Sequence, residues 1–124
     1  MVSSCPKDKS RNLTKAEVAL IERLVAGTKH SRLVRIVSDA LVEDMHDGGM
    51  GSVRFCNQRN SPREFGHEIA EVTFVDEDGT PCSVTLNLDQ HGELFELDIW
   101  KADNSLLLRY PTPGSVQVVT RSDG

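Results

Sequence analysis

Cysteine is scarce in this chain, aromatic residues are few, and no apolar run is long. Cys5, Cys56 and Cys82 are odd in number and widely spaced, so they imply no disulfide framework. Reduced thiols in a cytoplasmic setting are the expectation, with Cys56 and Cys82 facing each other across a sheet as the alternative. No segment approaches the roughly 20 apolar residues that cross a bilayer, so no membrane contact is expected. Met1–Lys9 is polar and lacks the apolar stretch of a secretory signal. Aromatics make up 5% of the residues, and Phe55, Phe74, Phe95, Trp100 and Tyr110 all fall within Arg54–Tyr110, which centres the expected core there. Positive charge is in the minority. Lys and Arg number 14 against 19 Asp and Glu, a net charge of −5, which argues against nucleic acid as a partner and permits a basic protein. There is no P-loop, no Gly-x-Ser-x-Gly, no Cys-x-x-Cys and no helical His pair at i, i+4. No cofactor and no catalytic residue are therefore expected. Cys82 has acidic neighbours rather than the electropositive setting of a reactive thiol.

What is present is alternation. Ala70, Val72 and Phe74, then Val84, Leu86 and Leu88, then Phe95, Leu97 and Ile99 form one apolar face. Glu71, Thr73, Thr85, Asn87, Glu96, Asp98 and Trp100 form the other. Period-2 patterning over three successive segments predicts half-buried antiparallel strands. Upstream, Thr14 as N-cap, Glu17 three residues later and Gly27 past the end predict a helix over Thr14–Ala26, its apolar face carrying Val18, Ile21, Leu24 and Val25. Leu33–Val42 reads as a short helix or turn to about Ser38, then a strand over Ala40–His46. Asp47-Gly48-Gly49 turns the chain into a partner strand, Met50–Cys56. The expectation is an α+β domain with an N-terminal helix packed on an antiparallel β-meander of about five strands. Residues 1–11 read as a disordered tail, 12–113 as the single domain, and 114–124 as a C-terminal tail or edge strand.

Two constellations invite a chemical reading. Asp44 and His46 lie at i, i+2 on a strand, and Asp47 follows at the Gly-Gly turn, a pattern open to metal or acid–base chemistry. The plainer reading is a solvated turn in which Asp47 caps the backbone, and no bound metal is expected. The second constellation is the acidic sheet face. Glu96, Asp98 and Trp100 alternate on one strand and project from one side, with Glu71 on the matching face of a nearby strand. A large ring among carboxylates has the form of an interface hot spot for a basic partner. The face is otherwise ordinary solvated surface, or is covered by the C-terminal segment.

Val42-Glu-Asp-Met-His-Asp-Gly-Gly-Met-Gly-Ser, followed by Gly92-Glu-Leu-Phe-Glu-Leu-Asp-Ile-Trp-Lys, resembles a family of small bacterial domains of unknown function, over about Leu13 to Pro113. The second motif is also similar to the Gly-x-Leu-x-x-Leu-Glu-Ile-Tyr strand of many small acidic immunity proteins of polymorphic toxin systems. That likeness places Asp98 at the acidic position and Trp100 at the aromatic one, where Trp stands for the more usual Tyr. The likeness implies an immunity-type inhibitor of a basic toxin. The alternation of the sheet face adds Glu71 and Glu96 to Asp98 and Trp100 as the expected contact residues, in a module expected in the cytoplasm. A small metal-dependent hydrolase using Asp44, His46 and Asp47 is the alternative. A secretion chaperone is a third reading, weakened by Pro111-Thr-Pro-Gly, which disfavours the C-terminal helix of that class.

Overall fold

The computed structural model describes residues 9–33, 37, 39–56 and 62–119. Strand β1, Ser10–Asn12, leads into helix α1, Lys15–Val25. The Thr14 hydroxyl accepts from the Glu17 amide at 3.1 Å and the Glu17 carboxylate accepts from the Thr14 amide at 2.8 Å, completing the capping box. The helix buries Leu20, Ile21, Leu24 and Val25. Glu17 is buried too, because Arg11 reaches both its oxygens at 2.8 and 2.9 Å and extends the same guanidinium to Asp44.

Strands β2 (Leu41–Asp44) and β3 (Val53–Phe55) form a hairpin, and β4 (Phe65–Val75), β5 (Pro81–Asp89) and β6 (Leu94–Lys101) form a three-strand meander. A 3-10 turn, Pro113–Ser115, precedes β7, Gln117–Val118. All pairings are antiparallel, in the order β1-β2-β3-β6-β5-β4-β7. The expected count of about five strands is too low, since short strands close both edges. Ser10 and Arg11, expected in the tail, pair with β2, and the edge strand anticipated near Val116 pairs with β4. Strand order also departs from a continuous meander. Strand β3 lies beside β6, because the long connection after β3 lets β4 start on the far side of the meander.

One sheet face joins the helix in the core, with Val42, Val53, Phe55, Val72, Val84, Leu86, Leu97 and Ile99 packed on Leu20, Ile21 and Leu24. Phe95 departs from its expected place. A bulge at Asn87/Leu88 sets Leu94, not Phe95, opposite Leu88. Phe95 is buried outside the main cluster, with the guanidinium carbons of Arg54 and Arg63 5.2 and 5.1 Å from its ring centre. Arg63 also donates to Asp89 at 2.9 Å and to the carbonyls of Phe55 and Leu94, tying three strands together. Cys56 is disulfide-bonded, which corrects the expectation of a reduced thiol there. Cys82 is buried and free, so the two cysteines are not bonded to each other.

Candidate functional site

The polar face of the sheet is built row by row from the register. Arg54, Glu96, Asn87 and Glu68 lie across β3, β6, β5 and β4 in one row. Asp98, Thr85 and Glu71 form the next, and Trp100, Ser83, Thr73 and Gln117 the third. The four residues singled out from the sequence, Glu71, Glu96, Asp98 and Trp100, therefore share one face within three neighbouring strands.

Their surroundings differ. Glu96 accepts from Arg54 at 2.5 and 3.1 Å, both bonds to Oε2, and its side chain is 12% exposed. Asp98 is half-buried. Its Oδ2 accepts from Asn87 Nδ2 at 3.0 Å, and it is hydrogen-bonded to Glu96. The Asp98 carboxyl is pushed up to about 6, first by burial and then by the Glu96 carboxylate, with Asn87 and Arg54 pulling the other way. Asn87 is 4% exposed, yet its Oδ1 has no hydrogen-bond partner. Leaving a buried amide oxygen unpaired costs roughly 1–3 kcal/mol. At the other end of the face Trp100 is 51% exposed, its indole N–H held by Asn104 Oδ1 at 3.1 Å. A groove of about 470 Å³ runs past the ring, floored by Thr73, Ser83 and Gln117 and edged by Val75 and Pro81. Trp100 thus keeps about half of its surface exposed, with Ser115 and Gln117 of the C-terminal segment lining the same groove.

Asp44, His46 and Asp47 are not one site. Asp44 is ion-paired with Arg11 at 2.8 Å, which, with the hydrogen bonds from that guanidinium, holds its carboxyl below the usual range. Asp47 turns into its own loop, accepting from the amides of Met50 at 3.1 Å and Ser52 at 2.9 Å. That loop needs the left-handed backbone of Gly48, Gly49 and Gly51, whose φ values are 77°, 82° and 100°. His46 is exposed and, with Asp44, lines a groove of about 440 Å³ bordered by Lys9, Glu43, Met45 and Arg54. Among the described residues no three His, Cys, Asp or Glu side chains are placed to hold a metal ion.

Sequence reasoning missed Arg54, which neutralises part of the acidic face, and the ion pair beneath it. Lys101 is buried and reaches Asp76, Asp78 and the Leu106 carbonyl at 2.8, 2.8 and 3.0 Å. Burial alone would raise the Asp76 carboxyl. The amide of Leu108, the Lys101 ammonium and the amides of Glu77 and Arg109 outweigh it and hold the group well below its ordinary value. This network fixes the segment after β6 and so the setting of Trp100 and Asn104. A lysine ending an alternating strand is the only local signal for it.

Among the described residues no helix is long and apolar enough to cross a membrane. The family described as "Domain of unknown function (DUF6984)" matches residues 10–111, so the chain belongs to it. No curated protein and no solved structure matches the chain.

Proposed function

We propose that this member of a family of unknown function is a protein-interaction module whose contact surface is the polar face of β4, β5 and β6, centred on Trp100. The observation that carries the reading is the half-exposed indole beside a groove, one row away from Asp98 and two from Glu96. Aromatic anchors next to buried polar groups are where interface energy concentrates. Net charge favours a basic partner. An immunity-type inhibitor of a basic toxin in a bacterial cytoplasm is the most specific form of this reading. It rests on the likeness of the Gly92–Lys101 strand to such proteins and on the acidic balance of the chain. Glu96 is already paired with Arg54, so within the pair Asp98 is the carboxylate that steers such a partner while Trp100 anchors it, with Glu71 in the same row as Asp98. The hydrolase alternative has less support, because Asp44 and Asp47 spend their oxygens on Arg11 and on loop amides.

The test is co-purification of partners from source cells on wild-type protein and on Trp100→Ala, followed by binding kinetics. The expected result is a specific protein retained by wild type and lost from the variant, with the variant still folded. A partner held equally by both would place the contact elsewhere.

A further inference from the structure

We infer that Glu96, Asp98 and Asn87 form a receptor for one primary ammonium group, the side chain of a lysine presented by the partner protein. This inference rests on the polar face being the contact surface, and it names what that surface reads.

Three acceptor side chains are neighbours on β5 and β6, Asn87 directly opposite Glu96 and hydrogen-bonded to Asp98, with too few donors among them. Both bonds from Arg54 go to Glu96 Oε2, and Asn87 donates to Asp98 Oδ2, so one oxygen of each carboxylate has no nitrogen donor. The third acceptor is the orphaned Oδ1 of Asn87, an amide whose other atom points at Asp98. A lysine ammonium brings three N–H donors and one positive charge. Counting Arg54, two ionised carboxylates leave one negative charge, which a single ammonium neutralises. An arginine would arrive as a planar fork suited to both oxygens of one carboxylate, and here each carboxylate has only one left. Trp100 stands two residues along the strand from Asp98, roughly 7 Å away, so its exposed ring can carry the aliphatic stem of the incoming lysine or an apolar neighbour.

The receptor is proton-linked. Asp98 is faced by Glu96 on its own strand, Arg54 on β3, Asn87 and Thr85 on β5, and Glu71 and Glu68 on β4. In the empty site a proton shared with Glu96 relieves the crowding of two carboxylates, and an ammonium displaces that proton. Binding should weaken as the solution is acidified through pH 6.

The test uses the isotope-labelled 124-residue chain and a short probe peptide, acetyl-Leu-Lys-Leu-amide, with acetyl-lysine and arginine versions as comparisons. The readouts are the carboxyl carbon shift of Asp98 from pH 4 to 8 and the Trp100 indole N–H signal. At a peptide concentration ten times its Kd, the Asp98 midpoint should fall by about one pH unit. The acetylated peptide should leave it in place, and Asp98→Asn should abolish binding while the remaining amide spectrum stays folded. The inference is overturned if the lysine peptide moves neither signal, if the acetylated or arginine peptide shifts the midpoint as far, or if calcium chloride alone does so. These failures are distinct from failure of the contact-surface reading. If native partner binding is lost in Trp100→Ala but kept in Asp98→Asn, the surface stands and the ammonium receptor falls.

Discussion

At Asp98, a carboxyl raised to about 6 by burial and by Glu96 keeps its proton in the folded chain after the unfolded chain, near 3.8, has released it. The folded state therefore binds more protons between those two values. This stabilising contribution is complete below the lower value and is lost as pH rises through 6. Asp44, Asp76 and Asp89 have lowered values and work in the opposite sense, their contributions disappearing on acidification below about 4. Urea midpoints should accordingly peak between about pH 4 and 5. In Asp98→Asn the decline from about pH 4.5 through 6 should vanish, a gain at pH 7.5 of about 1 kcal/mol at most because solvent reaches the group. An unchanged decline would refute the assignment. Lys101→Met should lower the midpoint far more than Arg54→Met, since it strands Asp76 in the interior while the Arg54 and Glu96 pair borders solvent. Equal effects would show that the buried pair is not holding the segment after β6. Trp100 and Asp98 were legible in the sequence because alternation alone assigns them a face. Arg54 and Lys101 were not, because their partners are chosen by chain segments more than twenty residues away.

Helix α1 is the element most fully written in local sequence. Thr14, Glu17 and Gly27 bound it without help from tertiary contacts, and replacing Thr14 with Ala should cost about 1 kcal/mol, read as a lowered thermal midpoint. The strands of the meander are equally legible. Their core positions make Leu86→Ala or Leu97→Ala cost roughly 2–5 kcal/mol through the cavity each leaves, and a denaturation midpoint unmoved by either would contradict the packing. Register irregularities were hidden. The bulge that turns Phe95 away from the core depends on how Leu94 meets Leu88, and period-2 counting assumes no such slip. Gly66 is a related case, its position dictated by the Asp89 carbonyl, which a Cβ there would strike. The edge strands β1 and β7 are three and two residues long, too short to leave a periodic signal.

Over the whole molecule, the helix and core occupy one side of the sheet, and the other side offers Trp100, the Asp98 and Glu96 pair and Asn87 on two adjacent strands. Net charge of −5 adds long-range attraction for a basic partner, screened beyond about 8–10 Å at physiological salt. Sequence alternation found this face, but only the β3 to β6 pairing reveals that Arg54 compensates part of its charge. The account stands or falls on binding kinetics of the co-purified partner with wild-type protein, Trp100→Ala and Asp98→Lys across a salt series. Trp100→Ala should chiefly speed dissociation, by loss of an anchor, and Asp98→Lys should slow association and flatten its salt dependence. Wild-type rate constants for both variants at every salt concentration would contradict the claim that the polar face of β6 is the contact surface.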